Sequence, residues 1–133
     1  MPREFVILSP EMPGDAAFRA AAEAAGEPVS MTLDAGGLMA RFHTRALDPL
    51  VTVLHPRRIT PDVLGPELAR LLPGRPVLHG LRPDAVAGLW WSDVVVPWGP
   101  AEVAGVAVAE RLAALLGGVL VDRASDFRSA DAG

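Results

Sequence analysis

Residues 29–44 read VSMTLDAGGLMARFHT, and this stretch decides the fold class. Val29, Met31 and Leu33 alternate with Ser30, Thr32 and Asp34, the two-residue period of a strand with one face buried and one face wet. Ala35-Gly36-Gly37 supplies a tight turn. Beyond it Leu38, Ala40 and Phe42 share one side, with Met39, Arg41 and His43 on the other. Two strands joined by so short a turn run antiparallel. A doubly wound parallel sheet, whose strands alternate with helices, is therefore disfavoured.

The flanking segments extend this reading. EFVILS (4–9) is a short apolar run stopped by Pro10, a buried first strand. PGDAAFRAAAEAAGEP (13–28) predicts a helix, with Pro13 in the first turn, Asp15 near the positive end of the dipole, and Gly26 and Pro28 as stops. LVTVLH (50–55) is a further strand. In the next stretch Pro66 interrupts the periodicity, so a turn over 61–64 and a short helix over 66–72 are expected. PVLHG (76–80) and residues 87–96 are two more strands. WGPAEVAGVAVAERLAALLGG (98–118) predicts the last helix, capped by Gly99, opened by Pro100 and stopped by Gly117-Gly118. Its buried stripe is expected at Ala101, Ala104, Val108, Leu112 and Leu115, with Glu102, Val106 and Glu110 turned away. VLVD (119–122) is a final strand, and RASDFRSADAG (123–133) predicts a flexible polar tail.

The order is β-α-β-β-β-α-β-β-α-β. It predicts one α+β domain over 1–122, a mixed, mostly antiparallel sheet with helices packed on one face.

Composition narrows the function. A chain of 133 residues supports one hydrophobic core. Half the residues are apolar and 21% are charged, an ordinary globular balance. No apolar run approaches bilayer length, and the run after Arg3 is too short for a signal-peptide core, so a cytoplasmic protein is expected. The absence of Cys excludes disulfides and thiolate chemistry. All twelve basic residues are Arg, and Lys, Asn, Gln and Tyr are missing. This is the bias of GC-rich codons, so the arginine content itself carries no functional signal. A net charge of -4 argues against a nucleic-acid binder and suits a basic protein partner.

The three tryptophans, Trp90, Trp91 and Trp98, fall within nine positions. On a strand Trp90 and Trp91 point to opposite faces, so one indole is expected in the core under a helix and the other on the opposite face near Asp93. Trp98 leaves the strand after Pro97. Indoles fill cores, and with arginines they also anchor protein interfaces. The interface reading proposes Trp91, Trp98, Arg57 and Arg58 as partner-binding residues, with the two arginines in a Pro-stiffened loop after His55-Pro56. A rival reading gathers His43, His55 and His79, each near a strand end, with the arginines into the pocket of a small enzyme or ligand-binding domain. No HxH, HExxH or Gly-x-Ser-x-Gly spacing is present, and Ser92 and Asp93 point apart on one strand. No metal, cofactor or catalytic residue is therefore assigned. A third reading is a subunit that self-associates as a homodimer.

The C-terminal third combines a Trp-bearing strand, a Gly/Pro entry, an Ala/Leu helix, a Gly pair and a last strand ending in Asp. This pattern resembles the ending of small bacterial immunity proteins that neutralise polymorphic or contact-delivered toxins. The resemblance implies a single-domain cytoplasmic protein without catalysis, whose surface masks a toxin. It carries over no individual residue roles.

Overall fold

The computed structural model describes residues 2–34, 39–58 and 89–123. The expected Gly36-Gly37 turn, the helix over 66–72, the strand over 76–80 and residues 124–133 lie outside these. The described elements are β1 (Arg3–Ser9), α1 (Asp15–Ala22) with a one-turn 3-10 extension (Glu23–Ala25), β2 (Val29–Asp34), β3 (Met39–Thr44), β4 (Pro49–Val53), β5 (Arg57–Arg58), β6 (Trp90–Val96), α2 (Glu102–Leu115) and β7 (Val119–Asp122). They make an α+β fold around one seven-stranded sheet, ordered β2-β3-β4-β6-β1-β7, with β5 also on β6. Every described pairing is antiparallel, so the parallel component of the expected mixed sheet is not seen among these strands.

Residues paired across an antiparallel ladder share a face. Phe5, Ile7, Ala40, Phe42, Val53, Val94 and Val96 point one way, and with Phe18, Ala21, Val108 and Leu112 they form the main core. Phe18 of α1 meets Phe42 of β3 edge to face, centroids 6.2 Å apart. The hairpin read from 29–44 is in register: Val29, Met31 and Leu33 oppose Thr44, Phe42 and Ala40. The other face is divided. Over β2 and β3 it is polar, with Ser30, Thr32 and Arg41 exposed. Over β6, β1 and β7 it is apolar, and Trp91, Val6, Leu8 and Val121 are all buried there.

Two register shifts shape the middle of the sheet. Near Phe42 and His43 the β3–β4 ladder slips, and both Leu50 and Val51 enter the core. Between Val53↔Val94 and Arg57↔Trp91, β4 and β5 advance four residues while β6 advances three. The extra residue lies at Leu54–Pro56, a bulge where a proline without an N–H fits. Arg57 and Arg58, expected in a loop, are thereby returned to the sheet as β5.

Both helices start later than expected. α1 begins at Asp15, with Pro13 buried ahead of the Gly14 cap, and Arg19 bonds Asp15 one turn back at 2.8 Å. α2 begins at Glu102 with Ala101 as N-cap. Its buried residues are Gly105, Val108, Ala109, Leu112 and Ala113. Val108 and Leu112 match the expected stripe. Ala101, Ala104 and Leu115 only flank it, and Val106, expected to turn away, is half-buried against the core. Gly105 explains the rotation. A Cβ there would collide with the Leu50 carbonyl oxygen and stand 2.9 Å from Val96 Cγ1, so α2 rests its backbone on the sheet at that point. The helix closes as a Schellman motif, Gly118 N–H donating to Ala113 O and Gly117 N–H to Ala114 O, with Gly117 at φ 69°. Arg3 ties α2 to the sheet by donating to Asp122 (2.8 Å) and Glu102 (3.5 Å). Its pKa is raised above the ordinary guanidinium value, chiefly by the Asp122 hydrogen bond. No helix among the described residues is long and apolar enough to cross a membrane.

Candidate protein-interaction surface

β6 sends its two adjacent indoles to opposite faces, as strand geometry requires. Trp91 lies on the face away from the helices, but it is only 2% exposed. Its Nε1–H donates to Asp93 Oδ1 at 3.0 Å, two residues along the same face. The Arg57 guanidinium sits 5.8 Å from the Trp91 ring centroid and reaches Asp93 Oδ2 at 3.3 Å. Arg123 approaches the same carboxylate at 3.9 Å. Asp93 thus serves an indole and two guanidiniums at once. In the free protein Trp91 is spent on this internal network, so its proposed part as an exposed anchor does not fit its burial. Trp90 points to the helix side at the start of the strand, half-buried, with Arg58 stacked 5.9 Å from its ring centroid. Arg57 and Arg58 themselves remain exposed.

Trp98 is different, with 70% of its surface exposed. It lies past the far end of β6, and at about 3.3 Å per strand residue it stands well over 15 Å from Trp91. The four proposed anchors therefore do not form one patch: Arg57, Arg58 and Trp91 sit at one end of β6 and Trp98 at the other.

Toward the same end of the sheet two further apolar residues, Leu47 and Val103, are left exposed. The β3–β4 turn is closed by Thr44 N–H to Asp48 O (2.8 Å), Leu47 N–H to Thr44 O (2.9 Å) and Asp48 N–H to Thr44 Oγ1 (3.1 Å). It holds Leu47 in the left-handed region, φ 67°, with 73% of the residue exposed. The first turn of α2 presents Val103, 83% exposed. β4 starts and β6 ends on the same side of the sheet, so the turn and the start of α2 lie at the end past which Trp98 follows. Between turn and helix runs an open groove of about 420 Å³, whose lining includes Glu27, Arg45, Ala46, Asp48, Ala101 and Ala104. In the sequence only Trp98 at this end stands out as a surface candidate, because a lone Leu in a turn or a lone Val in a helix start has no pattern that marks it as exposed.

The three-histidine pocket falls partly outside the described residues. His43 is half-buried on β3, His55 is exposed at the bulge, and His79 lies outside the described residues. Among the described residues no three His, Cys, Asp or Glu side chains are placed to hold a metal. Ser92 points into the core, and its buried hydroxyl has no hydrogen-bond partner among the described residues. Asp93 is on the opposite face, as the strand period predicts, so the two share no chemistry.

Compared with known proteins, the chain matches no family model, no curated protein and no solved structure.

Proposed function

We propose that this chain is a non-catalytic protein-binding module, most simply a cytoplasmic bacterial immunity protein that covers a toxin. The observation that supports it is the exposed indole of Trp98, two residues past the end of the core strand β6. Large apolar side chains that stay in water on an ordered scaffold are the usual centre of a protein interface. A hydrogen-bonded turn and the first turn of a packed helix hold the backbones of Leu47 and Val103 in place, so little ordering entropy is lost on docking.

The test uses the product of the reading frame adjacent to this chain's gene. Trp98→Ala is expected to weaken its binding about 30-fold, or about 2 kcal/mol, by calorimetric titration, with melting at about 1 µM unchanged. Wild-type affinity in that variant would remove Trp98 from the interface and with it the ground for this reading.

A further inference from the structure

We infer that the Trp98 end is self-complementary, and that two copies of the chain pair through it about a two-fold axis, with Arg45 of each copy set against Asp48 and Glu27 of the other. This deepens the proposed function and rests on it, because the residues that await a foreign partner are then covered in the resting protein. Binding the partner requires the pair to separate.

Three observations converge. Among the described residues, Leu47, Trp98 and Val103 are the most exposed large apolar side chains, and all three lie toward this end of the sheet. An indole left this exposed on a free monomer favours coverage by another molecule. Leu47 also occupies a backbone region that a branched side chain enters only at a cost, and at 73% exposure its side chain recovers little of that cost within the monomer. Contact with a second molecule supplies the missing burial.

The charges favour an identical molecule as that partner. Glu27, Arg45 and Asp48 line one groove, yet none of them makes an ion pair among the described residues. A patch of one sign would repel its own copy. A patch with both signs, unpaired internally, can satisfy each sign across a two-fold, where the contact of one residue with a second is repeated in reverse.

The test is sedimentation velocity on the full chain, without any partner, from about 1 µM to about 500 µM. A shift from monomer to dimer is expected. Trp98→Ala and Arg45→Glu should each weaken it by about tenfold or more, and Arg45→Glu combined with Glu27→Arg and Asp48→Arg should restore it. A misfolded variant cannot produce that restoration. Leu47→Gly, which eases the backbone while removing the apolar tip, should weaken the dimer with melting equal or higher. A monomer at every concentration overturns the inference, as does a dimer indifferent to all three single variants. In either case binding of the adjacent gene product, still dependent on Trp98, would leave the proposed function standing.

Discussion

At the scale of single residues, the sequence separates the two adjacent indoles but misjudges which is wet. The period of two assigns opposite faces to Trp90 and Trp91 without any structure. It does not say that the face carrying Asp93 is covered, because a carboxylate in a strand ordinarily marks the solvated side. Here Asp93 is instead the acceptor for the Trp91 indole and for two guanidiniums. Trp91→Ala should therefore lower stability by about 3–5 kcal/mol, the cost of a cavity in place of a large ring, whereas Trp98→Ala should leave melting of the dilute monomer, at about 1 µM, unchanged. Equal melting losses in the two variants would contradict the contrast in burial. Ser92 gives the opposite sign. Its hydroxyl is buried without a partner among the described residues, so Ser92→Ala removes an unmet polar group and should be neutral or stabilising by up to about 1 kcal/mol in urea titration. A clear loss would mean that the hydroxyl has a bonding partner after all, such as a bound water.

At the scale of elements, the edges of the hairpin and the stop of the last helix were legible, since alternation and a Gly pair have few other meanings. The rotation of α2 was not. Its sequence is nearly all Ala, Val, Leu and Gly, so hydropathy offers little contrast between faces, and the helix turns to where its backbone can come closest. Gly105 sets that position. Gly105→Ala is expected to destabilise by about 2–3 kcal/mol, because the new methyl meets a fixed backbone carbonyl and not a yielding side chain. Near-wild-type denaturation of this variant would show that α2 rides further from the sheet. The bulge at Leu54–Pro56 was hidden for a related reason. A proline reads as the end of a strand, and nothing local reveals that the ladder resumes at the very next residue through Arg57 and Arg58.

At the scale of the whole molecule, a fold class could be read but a strand order could not. Alternation reports which way a side chain faces and is silent on which strand lies alongside. β1 pairs with both β6 and β7, so the strand from the start of the sequence sits between the last two described. It is paired along both edges and buried along most of its length. Its amides should accordingly be among the slowest to exchange with deuterium, close to the limit set by global unfolding, while those of the edge strand β2 exchange sooner. Faster exchange in Phe5–Leu8 than in Val29–Leu33 would contradict this placement.

The same arrangement has a cost during synthesis. A ribosome makes this interior strand before either of its two neighbours, so a ribbon of Phe, Val, Ile and Leu waits with both rims bare until residues 90–122 have followed it. Production of the protein therefore depends on how well the cell shields that nascent ribbon, through translation speed and chaperone supply, before any of its finished surfaces matter.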